Sequence, residues 1–297
     1  MTDETIEPID YEQIRYEVSD PVATITLDRP EALNAWTGRM GAEVRHAVHR
    51  ATADPAVVGI VITGAGRGFC AGADLSVLSA IGQGDTGGSG NGGADLGGVP
   101  ASLAVPADPE RPADLDGEYT YLLACPKPIV AAINGPIAGM AVPIALSCDI
   151  RFMAEDAPLV TAFAERGLIA EWGLSWLLPR LVGPAVALDL LMSSRRVTGA
   201  EAAQLGLVNA ALPANEVLSH SVAYVESMAL RCSPTSLSIM KRQVYAQLHA
   251  GLGPAEQESQ RLMLASFGRP DFAEGVAAFL QKRPPSFPRL GGSLLPH

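Results

Sequence analysis

Two glycine-rich stretches of this chain have the composition to place backbone amides where chemistry happens. The first, Gly64-Ala65-Gly66-Arg67-Gly68-Phe69-Cys70-Ala71-Gly72-Ala73-Asp74-Leu75, follows an apolar run from Val57 to Thr63. The second, Asn134-Gly135-Pro136-Ile137-Ala138-Gly139-Met140, follows Ile129 to Ile133. Each reads as a buried strand feeding a helix through a turn, and helix starts carry unpaired N–H groups and the positive end of a dipole. Gly139 lets a second backbone or a ligand come close. One turn offers N–H groups near Ala73, the other near Met140. Two such donors converging on one carbonyl oxygen form an oxyanion hole, each worth about 3–4 kcal/mol in a transition state. Because the donors are backbone groups, a methionine at position 140 is chemically acceptable.

An oxyanion hole needs a proton-transfer partner, and Glu171 is a candidate, although the residues alone favour a helix-capping role for it. It lies in Gly167-Leu168-Ile169-Ala170-Glu171-Trp172-Gly173, flanked by Ile169, Trp172 and Leu174. Partial desolvation there would raise its pKa toward the range of a working base. The competing role is a carboxylate capping the helix that begins at Trp172 or Leu174. Glu165 is a weaker candidate, with a solvated face beside Arg166 as its alternative. Asp74 is expected to cap a helix beginning near Leu75, and Asp149 to be structural. The histidines His46, His49, His220, His249 and His297 lie on helices or at the tail, away from both turns. Cys70, Cys125, Cys148 and Cys232 are widely separated, with no CxxC pair and no histidine at metal spacing. They read as free buried thiols, and no metal is expected. Gly66-x-Gly68-x-x-Ala71 loosely matches a dinucleotide fingerprint, but the strand-terminal acid it requires about 20 residues on falls in glycine-rich sequence near Asp85. No cofactor is expected.

The elements that must position these residues alternate between strand and helix. Ile14–Val18 and Val22–Leu27 form a hairpin, with Ser19-Asp20-Pro21 as its turn. A helix runs from Thr37 to Ala53, with Met40, Val44, Ala47 and Val48 on one face, and another from Leu115 to Ala124. A helical run is expected from Ala138 through Leu146, a strand from Asp149 to Ala154, and a brief helix from Thr161 to Arg166. Ser175–Val182 and Ala185–Met192 are two helices parted by Gly183-Pro184. Thr198 and Glu201 form a capping box, and Leu207-Val208-Asn209 is a short strand. Four amphipathic helices follow: Ser219–Arg231, Thr235–Ala250, Glu256–Ser266 and Asp271–Gln281. Between about 82 and 112 the chain is glycine- and proline-rich, which reads as an inserted flexible loop. The result is an α/β core over residues 1–215 and a helical region over 216–297.

With 297 residues, 48% of them hydrophobic, the chain is long enough for one large core. A net charge of −11 disfavours nucleic acid and anionic membrane as partners. The acidic first residues lack a signal core and no run approaches membrane-spanning length, so a soluble, cytoplasmic protein is expected.

Phe69-Cys70-Ala71-Gly72-Ala73-Asp74-Leu75 together with Ala131-Ala132-Ile133-Asn134-Gly135-x-x-x-Gly139 resembles the enoyl-CoA hydratase/isomerase (crotonase) superfamily. The likeness extends to Arg29-Pro30-x-x-Leu33-Asn34-Ala35, Cys148-Asp149-Ile150-Arg151, Leu178-Pro179-Arg180-Leu181-Val182-Gly183 and Ala202-x-x-x-Gly206-Leu207-Val208-Asn209. It covers residues 10 to 285 apart from the insertion. It implies a crotonase-like spiral of ββα units, a coenzyme A thioester as substrate, and a homotrimer or dimer of trimers. By the resemblance, the N–H groups of Ala73 and Met140 hold the thioester oxygen, and Arg29, Ala71, Gly72, Asp74, Gly139, Phe163 and Trp172 line the substrate. The C-terminal helices cover the CoA, with Lys282 or Arg283 meeting its phosphates, from a neighbouring subunit if need be. The positions of the two glutamates of the family's hydratases fall on Pro143 and Phe163, which cannot transfer protons. Glu171 is therefore the acid left, which suits moving a C=C bond. Hydration through Glu171, with or without Glu165, and a catalytically silent acyl-CoA binder stay open as alternatives.

Overall fold

The protein is described by a computed structural model covering residues 10–74, 100–106 and 113–290. Its strands are β1 (Ile14–Ser19), β2 (Val22–Leu27), β3 (Gly59–Gly64), β4 (Ile129–Ile133), β5 (Ile137–Ala138), β6 (Ile150–Ala154), β7 (Pro158–Val160), β8 (Val197–Thr198) and β9 (Ala210–Leu212). The alternating β1 and β2 pair antiparallel from Ile14 opposite Leu27 to Ser19 opposite Val22. From β2 onward the main sheet is parallel, in the order β1-β2-β3-β4-β6-β9. Every residue of β3 and β4 is buried, as expected of central parallel strands sandwiched between other layers. A second, small sheet orders β5-β7-β8.

Helix α1 (Gly38–Ala53) buries Met40, Val44, Ala47, Val48 and Ala51 and is capped by Thr37, whose hydroxyl accepts the Met40 N–H at 3.0 Å. Then come α2 (Tyr121–Ala124), α3 (Ala141–Leu146), α4 (Leu174–Ser193), α5 (Gly199–Gln204) and α6 (Val217–Arg231). The last of these lies against β3 and β4. The chain ends in α7 (Pro234–Gln247), α8 (Leu252–Phe267) and α9 (Pro270–Gln281). This is the α/β crotonase-like architecture, a spiral of ββα units with a C-terminal helical region.

Several elements differ from the sequence expectation. Only the last turn of the stretch from Leu115 is helical, because the Gly117 N–H turns back to the Thr120 hydroxyl at 2.8 Å. Ala138 belongs to a strand, and the helix after it begins at Ala141, since the Ala138 N–H donates to the Cys70 carbonyl at 3.1 Å. Half of the capping box forms: Thr198 accepts the Glu201 N–H at 3.2 Å, while the Glu201 carboxylate takes Arg195 at 2.6 Å instead. The short strand lies at Ala210–Leu212, not Leu207–Asn209, because Leu207 closes a turn onto the Ala202 carbonyl at 2.9 Å. Helix α4 is continuous apart from Gly183, whose φ of 76° and ψ of 161° break it between the two expected halves. By length and composition α4 could cross a membrane, contrary to the sequence expectation, but it carries that break and two prolines, Pro179 and Pro184. Most of the expected insertion at 82–112 lies outside the described residues.

Candidate active site

Two asparagines, the buried Asn34 and the half-buried Asn134, shape the first glycine turn. The Asn34 amide donates to the carbonyls of Ala65 and Gly68, both at 2.9 Å, and of Phe69 at 3.2 Å. Asn134 accepts the Gly64 N–H at 3.1 Å and donates to the Gly66 carbonyl at 3.1 Å. The first turn is thus fastened to the segment after β1–β2 and to the start of the second turn. The two turns then meet directly. Cys70 pairs with Ile137, and the Phe69 N–H donates to the Pro136 carbonyl at 3.1 Å. Gly72 has a φ of +95°, and a Cβ there would stand 2.8 Å from the Ala138 carbonyl oxygen. Gly139 has a φ of +53°, and a Cβ there would stand 3.9 Å from the Gly72 Cα. Only residues free to take left-handed backbone allow that approach without strain.

The amides that follow these glycines are the ones left over. The strand-like bridge between Trp36 and Ala73 uses the Gly72 carbonyl at 2.8 Å and the Asp74 N–H at 3.1 Å. In such a bridge the N–H of Ala73 itself faces away from Trp36. Gly139 spends its own N–H on the Val160 carbonyl at 3.0 Å. Among the described residues neither the Ala73 N–H nor the Met140 N–H has an acceptor, and both residues are only half-buried. Vacant donors on touching turns are what an anion-binding pair for a carbonyl oxygen gaining charge requires.

Glu171 stands in a separate loop, between β7 and α4. Gly167 and Gly173, with φ of 70° and 77°, bracket it. No side chain caps α4 at Gly173; the Leu174 N–H goes to the backbone carbonyl of Glu171 at 2.9 Å, so the carboxyl is left for other work. Burial raises the Glu171 pKa above the ordinary carboxylate value, with the Trp172 indole N–H pulling back. The Trp172 ring meets Tyr119 edge-on at 5.4 Å, and Tyr119 meets Trp36 at 5.8 Å. Tyr119 also lies within the electrostatic reach of Glu171. Three rings thus run from the Glu171 loop to the Ala73 turn. Neither Trp36 nor Tyr119 was singled out from sequence. Trp36 precedes a helix cap and Tyr119 falls in a stretch with helical periodicity, so nothing in the residue pattern marked them.

The remaining candidates separate. Arg29 and Asp74 face one another, Nη2 to Oδ2 at 2.9 Å, and Arg29 also donates to the Ala35 carbonyl at 2.6 Å, which braces the first turn. The residue after Asp74 lies outside the described residues, so the expected helix cap there does too. The Ala71 N–H is held by the Leu33 carbonyl at 3.0 Å. Phe163 and Pro143 are both buried. Glu165 is exposed, and Arg166 donates to the Ala162 carbonyl at 2.7 Å. Lys282 is an exposed left-handed residue closing α9, which packs on α8. His46 bonds Tyr11, His220 packs on Phe152 and His249 stacks on Trp176. Among the described residues no group of three His, Cys, Asp or Glu side chains could hold a metal ion.

The fold, with two touching glycine turns at strand ends, is that of a crotonase-like enzyme. The sequence pattern of the enoyl-CoA hydratase/isomerase family matches residues 17–97 and 91–289. A probable enoyl-CoA hydratase of Rhodobacter capsulatus is 35% identical over 281 residues, covering 93% of this chain and 98% of its own. The 1,2-epoxyphenylacetyl-CoA isomerase of Escherichia coli is 32% identical, covering 91% and 96%. The crystal structure of an enoyl-CoA hydratase from Polaromonas superposes with a TM-score of 0.76 at 27% identity, covering 92% of this chain and 99% of that one. The chain belongs to the enoyl-CoA hydratase/isomerase (crotonase) family and is an acyl-CoA-processing enzyme.

Proposed function

We propose that this enzyme moves a C=C bond of an enoyl-CoA, with Glu171 as the proton shuttle. The observation that carries this is the Glu171 carboxyl, in the loop linked by three rings to two vacant amides, while buried Pro143 and Phe163 occupy the positions at which the family's hydratases carry glutamates. In the forward direction the Glu171 carboxylate takes a proton from C2 of a 3-enoyl thioester. The electron pair moves into the thioester carbonyl, whose oxygen is held by the Ala73 and Met140 N–H groups. The same carboxyl returns the proton to C4, leaving the double bond between C2 and C3 and nothing consumed. Arg29 and Asp74 keep the first turn in shape, and Trp172 walls the acyl group. A homotrimer or dimer of trimers completes the reading, with Lys282 serving CoA phosphate.

Incubation of the purified enzyme with 3-enoyl- and 2-enoyl-CoA in deuterated water, followed by mass spectrometry of the products, tests it. Isomerisation predicts interconversion of the two with solvent deuterium incorporated, abolished by Glu171→Gln while CoA thioesters still bind. Net addition of water would replace this reading with the hydratase. Binding without turnover would replace it with a silent acyl-CoA binder.

A further inference from the structure

We propose that Trp172, docked through Tyr119 onto Trp36, is the positioning residue that holds the Glu171 carboxyl over the oxyanion turn. The inference rests on the reading of Glu171 as the base and adds what keeps that base in place.

The loop from Gly167 to Gly173 has little else to hold it. Its backbone bonds are local: the Leu168 N–H reaches the Phe163 carbonyl at 3.0 Å, and the Leu174 N–H reaches the Glu171 carbonyl at 2.9 Å. Leu168 and Ile169 are 40% and 77% exposed, and apart from Trp172 the loop's apolar contact with the core is the methyl group of Ala170. Gly167 and Gly173 both stand in open space, with nothing within 4 Å of where a Cβ would lie. A segment with two left-handed glycines at its ends and only one small side chain besides Trp172 packed on the core is free to swing unless a larger side chain pins it.

Trp172 is that side chain. Its φ of 54° is a left-handed conformation that a bulky residue rarely adopts, and such outliers persist where surrounding contacts enforce them. The contact is Tyr119, 3% exposed, which in turn meets Trp36, 4% exposed. The backbone of Trp36 is bonded on both sides of Ala73, to the Gly72 carbonyl at 2.8 Å and the Asp74 N–H at 3.1 Å. The two inner rings are therefore fixed to the turn that carries one oxyanion donor, and the half-buried Trp172 is the detachable end. One docking contact registers the base against the hole.

The test compares Trp172→Leu, Trp172→Phe and Glu171→Gln in the full-length enzyme. Displacing a reacting group by about 1 Å costs roughly 100-fold, so Trp172→Leu should lower kcat by that order with KM changed less than about twofold. Trp172→Phe, which keeps a ring against Tyr119, should recover most of kcat. The acid limb of kcat/KM should move down toward the ordinary carboxylate range in Trp172→Leu, because hydration of the freed carboxyl removes the larger, raising effect of burial and outweighs the loss of the Trp172 indole N–H, which lowers the value. Cys70, pushed up to about 12 by burial, and Tyr119 and Tyr121, raised by burial, stay neutral there. Glu118, raised by burial and opposed by Arg45, is assigned by a Glu118→Gln control. Hydrogen exchange at residues 168–173 should quicken in Trp172→Leu and not in Glu171→Gln. Full kcat in Trp172→Leu with Glu171→Gln inactive would overturn the anchoring role alone. So would equal loss in the Leu and Phe variants. Undiminished deuterium exchange in Glu171→Gln would overturn the base and with it this inference.

Discussion

At the scale of single residues, the site depends on two backbone amides whose direction is set by the glycines before them. Gly72→Ala would drive a methyl to 2.8 Å from the Ala138 carbonyl oxygen at a φ of +95°. The expected cost is on the order of 1–3 kcal/mol of stability, with kcat down by roughly 100-fold or more as the Ala73 donor is misdirected. Gly139→Ala meets nothing nearer than 3.9 Å, so it should pay only the left-handed penalty, about 1–2 kcal/mol, and keep most of its activity. Thermal midpoints and saturated rates of the two variants make the comparison. Glu171 gives a prediction with a sign. Its burial raises the pKa, and a base works when ionised, so kcat/KM should fall as pH drops through a value above that of an exposed glutamate. The native state holds this proton more tightly than the unfolded chain does. The stability this confers is present below the unfolded value and lost as pH rises through the folded one. Glu171→Gln should therefore melt slightly higher than the parent at pH 7, with the gain absent near pH 3.5, where both states are protonated. A lower melting point for Glu171→Gln at pH 7 would contradict the burial argument.

At the scale of elements, the polar cluster under α7 does the mooring. Lys241 pairs with Asp149 at 2.8 Å and also donates to the carbonyls of Leu122 and Lys127 at 2.9 and 3.2 Å. Asp149 further accepts the Tyr245 hydroxyl at 2.9 Å and the Ile129 N–H at 2.7 Å, so one carboxylate joins β4, β6 and α7. Asp149→Ala leaves a mostly buried ammonium without its counter-charge and should cost about 3–5 kcal/mol by denaturant titration. Adding Lys241→Met should recover part of that loss. Sequence pattern exposed the elements that repeat a period: β2, the apolar face of α1 and the break of α4 at Gly183 all carry local signals. It misplaced elements whose fate is decided by a partner distant in sequence. Ala138 is strand because Cys70 takes its N–H, and the Glu201 side chain leaves its cap because Arg195 competes for it. The same division runs through the site. The glycine turns were legible because their spacing is local. The Trp36–Tyr119–Trp172 rings were not, because their contacts span three separate segments.

At the scale of the whole molecule, the last two helices leave large apolar side chains exposed. Leu252, Phe279 and Leu280 are 86%, 82% and 72% exposed, the kind of surface that a neighbouring subunit covers. The proposed trimer would cover it, so sedimentation equilibrium should give a multiple of three times 31.0 kDa, and Phe279→Asp should shift the mass toward the single chain. Lys282 follows Phe279 and Leu280 at the end of α9 and is exposed, so its ammonium would have to reach a CoA phosphate from the neighbouring subunit. Losing one charge-assisted contact is worth roughly tenfold in affinity. Lys282→Ala should therefore raise KM for CoA thioesters about tenfold and leave pantetheine thioesters, which lack the nucleotide phosphates, unchanged. Complementation decides whether the residue acts in trans. When Lys282→Ala and Glu171→Gln chains are refolded together, a site with intact Glu171 gains an intact Lys282 only if the lysine comes from the adjacent subunit. Mixed trimers should then regain a population of sites with parental KM. If Lys282 serves its own chain, every site keeps one defect, and the mixture shows only the weak binding of the Lys282→Ala chains.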